Sequence, residues 1–220
     1  CSALTRVNIG GVTEFKYDCY YGNGTTMNKY PFQGCSKLAT INVTDLKAFC
    51  AISNLEYLTN SSYGTATTKN SLMINGSVHS STSELVIPEG VTSISSGAFR
   101  FFPNVTKIKL PSTMTKIADS NFSNHTYLTE ITVPSTVTNV GSSAFYGCTA
   151  LKTATLNNTG DIGYSAFSGC TALQTVTLNN KGAVNYYAFK DCSALTRVNI
   201  GGVTEFKYDV YYGNGTTIYS

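Results

Sequence analysis

Seven cysteines and two histidines are the residues of this 220-residue chain whose types could ligate a metal, pair as disulfides or act as nucleophile and base. Their spacing argues against all three. Cys148, Cys170 and Cys192 recur at one fixed interval, as equivalent members of successive units do, and no C-x-x-C pair of the kind that builds a zinc site is present. Stacked side by side they come within disulfide range, yet parallel in-register side chains rarely offer the required geometry, so free, buried thiols are expected. His79 and His125 do not recur. His125 falls one unit before Cys148, in the slot other units give to Cys, and reads as a variant turn residue. The chain contains neither a G-x-S-x-G elbow nor a glycine-rich phosphate loop. No catalytic, cofactor-binding or metal-binding residue is assigned, and an enzyme is not expected.

Composition points the same way. Hydrophobic residues make up 42% and charged residues 12%, there is no Trp, and Thr, Ser, Asn, Gly and Tyr are abundant, which describes a folded, β-leaning chain rather than a disordered one. A net charge of +3 spread along the length gives no footprint for nucleic acid. No apolar run approaches the roughly 18 residues that span a bilayer, and no leader opens the chain. Cys1-Ser2-Ala3-Leu4 is repeated as Cys192-Ser193-Ala194-Leu195, so Cys1 is a repeat cysteine and not a lipid-carrying terminus. Sequons such as Asn23-Gly24-Thr25 and Asn104-Val105-Thr106 carry no information in so Ser-, Thr- and Asn-rich a chain.

The elements that would position any site emerge when the chain is aligned with itself. Phe99, Phe122, Phe145, Phe167 and Phe189 form an evenly spaced ladder, four of them after Ala, and Phe32 joins them by context. Ala-Phe-x-Gly-Cys is followed by a leucine-led pattern: Leu128-x-x-Ile131-x-Val133, Leu151-x-x-Ala154-x-Leu156, Leu173-x-x-Val176-x-Leu178 and Leu195-x-x-Val198-x-Ile200. Alternation with period two predicts a strand with one face inward. Pro88, Pro111, Pro134 or an Asn-Asn pair ends it, and Ile94, Ile117, Val140, Ile162 and Val184 supply a second apolar anchor. The repeat is thus a coil of about 22 to 23 residues, a period within the range of solenoid architectures. One such coil cannot bury its apolar face alone, so successive coils must stack with their strands parallel and in register.

Ser83-Glu84-Leu85-Val86-Ile87-Pro88-Glu89-Gly90-Val91-Thr92-Ser93-Ile94, with Gly97-Ala98-Phe99 and Ala144-Phe145-Tyr146-Gly147-Cys148-Thr149-Ala150-Leu151, resembles the BspA-type leucine-rich repeats of host-associated bacterial surface proteins. The likeness is strong over 83–207 and good over 1–43. It implies a mainly β, α/β solenoid: a right-handed leucine-rich-repeat superhelix with a parallel sheet, forming a single domain over 1–220. It further implies a secreted or cell-surface adhesion module.

Two stretches break the period. Residues 44–82 form a non-repeat island, with an amphipathic helix over Thr44 to Ala51 bearing Leu46, Phe49 and Cys50 on one side, and a hairpin turning at Asn75-Gly76. It serves either to change coil curvature or as a binding elaboration. Residues 1–27 and 192–218 match at all positions but two, Cys19 against Val210 and Met27 against Ile218, which predicts a recent duplication of a larger unit and a longer parent protein. Both copies carry Phe-Lys-Tyr-Asp-x-Tyr-Tyr-Gly-Asn-Gly-Thr-Thr, a Tyr-rich loop inserted over 17–29 and truncated in its second copy at 208–220.

The outward strand positions should form one ribbon: Arg6/Asn8, Thr40/Asn42, Glu84/Val86, Lys107/Lys109, Glu130/Thr132, Thr153/Thr155, Thr175/Thr177 and Arg197/Asn199. Candidate binding residues are therefore Lys107, Lys109, Glu130 and Arg197 on the ribbon. Tyr17, Tyr20, Tyr21, Tyr208, Tyr211 and Tyr212 join them from the loops, since Tyr gives wide contact area at low entropy cost. The expected partner is an extracellular or host protein, with no nucleic acid, no membrane insertion within this segment and no cofactor. A glycan-binding module and a purely structural spacer are the alternatives.

Overall fold

The computed structural model describes residues 6–11, 40–52, 71–74, 76–78, 83–94, 98–102 and 104–207. The chain divides into two compact units, Cys1–Ser81 with Ser95–Phe102, and Thr82–Ile94 with Pro103–Ser220.

In the first unit, β1 (Arg6–Asn8) pairs in parallel with β2 (Thr40–Val43), setting Arg6 beside Thr40 and Asn8 beside Asn42. The predicted helix follows as α1 (Leu46–Cys50). Asp45 caps it with Oδ1 accepting from Ala48 N at 2.7 Å, satisfying one of the N–H groups that a helix start leaves bare. Phe49 and Cys50 turn into the core, whereas Leu46 stays half-buried. The hairpin also forms: β3 (Ser71–Ile74) runs parallel to β2 and antiparallel to β4 (Ser77–Val78), with Gly76 at φ +78° between them. Such a turn needs a left-handed residue, which glycine supplies without a Cβ clash. Phe49 closes edge-on against Phe102, ring centroids 6.1 Å apart, beside the 3-10 turn Ala98–Phe101.

The second unit is a solenoid built on one parallel sheet. Its strands are β5 (Glu84–Val86), β6 (Lys107–Lys109), β7 (Glu130–Val133), β8 (Thr153–Leu156), β9 (Thr175–Leu178) and, after the short β10 (Ala183–Val184), β11 (Arg197–Ile200). Sequence neighbours are sheet neighbours throughout that run, β11 pairing with β9. On the far side of each coil the second anchors form their own ladder of parallel bridges, Ile117 to Val140 to Ile162 to Val184, and β10 pairs with β12 (Glu205–Phe206).

Between the two ladders the aromatic column assembles. Phe122, Phe145, Phe167 and Phe189 stack face to face with centroids 4.8, 4.8 and 5.4 Å apart. That spacing is close to the separation of paired strands, so ring stacking and backbone pairing share one repeat distance. The residue before each stacked Phe is buried: Ala144, Ala166 and Ala188, and in the earlier coil Asn121, whose Nδ2 donates to Ile94 O at 3.3 Å. The position two residues after each Phe is left-handed: Asn124 (φ 60°), Gly147 (68°), Gly169 (75°) and Asp191 (61°). This explains the x-Gly-Cys pattern, since Gly, Asn and Asp tolerate that region best.

The next residue is the cysteine. Cys148, Cys170 and Cys192 are fully buried free thiols, each donating S–H to a carbonyl of the preceding coil, Phe122 O, Phe145 O and Phe167 O, at 3.2 Å. Contacts with the Cys148 and Cys192 thiols, and then burial, push the Cys170 thiol far above its ordinary value. Burial, aided by the Asp45 charge, pushes Cys50 up to about 12. His125, in the cysteine slot one coil earlier, is the variant turn residue expected there: it is buried and keeps that slot's backbone bonds, with its N–H on Phe122 O and its carbonyl accepting from Leu128 N. His79 lies outside the described residues.

One expectation about the core is corrected. Ile200 fills a core slot in the sequence pattern but is 48% exposed, and Leu195 and Val198 are only half-buried, because β11 is the edge strand and no described coil covers it.

Candidate functional site

Alternation along each strand sends one residue set into the core and the other to solvent. Leu85, Ile108, Ile131, Ala154 and Val176 are buried. Their flanking partners are exposed or half-exposed in every strand from β5 to β9, as are those of β11. The register aligns Glu84, Lys107, Glu130, Thr153, Thr175 and Arg197 into one row across the sheet. Val86, Lys109, Thr132, Thr155, Thr177 and Asn199 provide the second outward position. The predicted face is therefore continuous from β5 to β11, but Arg6/Asn8 and Thr40/Asn42 do not join it: β1 and β2 pair within the separate four-stranded sheet of the first unit, so the single ribbon expected from the sequence is divided.

Its charges are sorted along the solenoid. Lys107 Nζ lies 2.6 Å from Glu130 Oε1 on the neighbouring strand, and that hydrogen bond raises the lysine pKa. Glu84 flanks Lys107 on its other side, so the row alternates in sign. Both partners of the pair are about half exposed, and such a pair is screened by water and salt. Lys109 stands exposed beside Val86. The centre of the face is a low floor of Thr153, Thr155, Thr175 and Thr177, and Arg197 rises at the far edge, where Asn199 Nδ2 reaches Thr177 Oγ1 at 3.2 Å. Lys107, Lys109 and Glu130 are thus brought together, whereas Arg197 stands four strand spacings from Lys107, roughly 19 Å away. Tyr17, Tyr20, Tyr21, Tyr208, Tyr211 and Tyr212 lie outside the described residues.

Sequence reading overlooked a second set of surface aromatics. Tyr127, Tyr146, Tyr164 and Tyr186 are all exposed, in the turns rather than on the sheet. A signal for two of them existed: Tyr164 and Tyr186 occupy the same slot, three positions before the stacked Phe, in consecutive coils. Among the described residues no group of three His, Cys, Asp or Glu converges as a metal site would, and no helix is long and apolar enough to cross a membrane.

Comparison with known proteins agrees with this architecture. The family model for the BspA type leucine rich repeat region matches in six copies over residues 20–101 and 92–217. No curated protein sequence matches the chain. Among solved structures, a leucine-rich repeat protein from Eubacterium ventriosum is 22% identical over 96% of this chain and 63% of its own, with a TM-score of 0.51, which supports the fold. A leucine-rich repeat protein of T. pallidum is 16% identical over 92% of this chain and 66% of its own, TM-score 0.46. A leucine rich cell surface protein from Faecalibacterium prausnitzii is 20% identical over 96% of this chain and 70% of its own, TM-score 0.46. The chain spans less than two thirds of the length of the first two. Six copies of one repeat model over most of its length, on a parallel sheet with buried Phe and Cys columns, place the chain in the BspA-type leucine-rich-repeat family.

Proposed function

We propose that this chain is a surface-displayed binding module that docks host or neighbouring-cell proteins on the outer face of its six-stranded sheet. The observation that carries the reading is the in-register row from Glu84 to Arg197, which gives one uninterrupted exposed face with a threonine floor between charged ends. Flat floors of short side chains admit close approach of a partner backbone, and charges at the rim set orientation and association rate more than affinity. Membership of the family supports display at a cell surface. Nothing in the face requires a reaction, and its residues serve contact alone.

The test is a binding screen of the purified chain against extracellular-matrix proteins and host cells, followed by the double substitution Lys107→Glu, Lys109→Glu on any hit. Reversing two exposed charges leaves the core untouched, so the variant should fold normally and bind at least roughly tenfold more weakly, with the loss concentrated in the association rate. Undiminished binding by that variant would move the contact away from this face. Silence across the whole screen would favour a spacer that only holds other domains away from the surface.

A further inference from the structure

The turns leading into Phe167 and Phe189 carry an aromatic cluster that neither the sheet face nor the core uses. Tyr164 and Tyr186 stand at equivalent places in consecutive coils, and Ser165 N donates to Tyr186 O at 3.1 Å, which fixes the two turns against each other. Both side chains remain exposed, by 51% and 43%. Tyr187 meets Tyr164 edge-on, with centroids 5.4 Å apart and planes at 88°. Lys190 Nζ lies 5.5 Å from the Tyr187 centroid.

Tyr187 is a poor residue for its own backbone. It is left-handed at φ 57°, and the equivalent positions of the three preceding coils, at φ 54°, 53° and 52°, are all serine: Ser120, Ser143 and Ser165. A bulky side chain pays a steric penalty in that region, and folding gains little in return because Tyr187 is only half-buried. A residue that violates the local rule without serving the core points to a role on the surface.

We propose that Tyr164, Tyr186 and Tyr187 form a carbohydrate platform that takes a pyranose chain. The exposed Tyr164 and Tyr186 rings, one coil apart, would stack on C–H faces of sugars along the chain. Tyr187 buttresses Tyr164 from the side, and the Lys190 ammonium and the tyrosine hydroxyls hydrogen-bond the sugar hydroxyls at the rim. The large exposed apolar residues of the cluster are aromatic. The exposed large aliphatics among the described residues, Val86 and Ile200, belong to strands β5 and β11 instead. A protein-binding hot spot of this kind would be enriched in Arg and Met as well as Tyr, and the cluster has neither. These residues are separate from the sheet face, so either proposal can fail without the other.

The test uses the whole chain. A glycan array identifies the sugar class, and native gels containing soluble mixed-linkage β-glucan, xyloglucan or mucin measure retention. Saturable binding should weaken at least roughly tenfold in Tyr164→Ala, the loss expected when one stacking ring is removed. It should weaken similarly in Tyr187→Ser, whose melting temperature should equal or exceed that of the parent because serine suits the same backbone in three other coils. Lys107→Glu, Lys109→Glu should bind the glycan normally. The proposal is overturned if no glycan is bound, if both tyrosine variants bind like the parent, or if Tyr187→Ser melts well below it. Retention that survives enzymatic removal of the sugars from mucin would make the cluster a protein-docking surface and overturn it equally.

Discussion

Phe145 and Thr155 mark the two energetic extremes at single positions of the solenoid. Phe145 is fully buried between Phe122 and Phe167, so its removal opens a cavity in the middle of the aromatic column. Phe145→Ala should cost about 3–5 kcal/mol in urea unfolding, against less than about 0.5 kcal/mol for Thr155→Ala on the outward face. Equal losses would reverse the assignment of core and ribbon. The thiols add a dependence on pH. Folding raises the Cys50 pKa from its ordinary 9.0 to about 12. Between those values the unfolded chain has released a proton that the folded chain still holds, so stability from this group is full below about pH 9 and is lost as pH rises toward the folded value. The urea midpoint should therefore fall more between about pH 8 and about pH 10 in the parent than in Cys50→Ala.

Hydroxyl ladders and asparagine turns explain why so polar a chain forms such regular elements. Thr106, Thr129 and Thr196 each donate a side-chain hydroxyl to a carbonyl one coil back, Ser83 O, Thr106 O and Gln174 O, and Thr115 and Thr138 do the same at Thr92 O and Thr115 O. The later coils are shorter by a single position, and the cause is local. In the longer coils a proline turn is followed by a buried apolar residue, Val91, Met114 or Val137. In the shorter ones a fully buried asparagine stands in that stretch, with Asn158 Nδ2 donating to Gly160 O at 2.7 Å and Asn180 Nδ2 to Gly182 O at 3.1 Å. Asn158→Ala removes the amide that donates to the Gly160 and Asp161 carbonyls in a part-buried turn and should cost about 0.5–1.5 kcal/mol. In the first unit, Asp45→Ala removes the helix cap and should cost about 1 kcal/mol, read as a lower melting temperature.

Across the whole molecule, stability in a stacked array is a sum of each coil and its contacts with its neighbours. Among the described residues, the inner coils of the second unit are covered on both sides, and β11 on one. Leu178 is fully buried and Ile200 is 48% exposed, although both end their strands at the same place in the repeat. Ile200→Ala should therefore destabilise less than Leu178→Ala. Amide exchange should give the strongest protection in β8 and β9, with β11 exchanging earlier. Uniform protection from β7 to β11 would show that the unit unfolds as one block instead of fraying from its edge.

Much of this was legible in the sequence because stacking imposes one chemical environment on every equivalent position. The Phe column, the Cys column, the paired apolar anchors and the outward row from Glu84 to Arg197 follow from period and alternation, whereas the helix and hairpin of the non-repeat island follow from local signals, an amphipathic run and an Asn-Gly pair. The family followed from the same repetition. Other features depended on three-dimensional neighbours. The half-bare Ile200 depends on what covers an edge strand, which a repeat pattern does not record. The buried His125 and Asn158 depend on where a side chain turns at a bend, and polar residues carry no periodic signal there. The Tyr164, Tyr186 and Tyr187 cluster depends on a left-handed backbone bringing one ring against another in the adjacent coil. Repetition fixed the core and the face of the sheet, and only the stacked coils decided which surface residues meet.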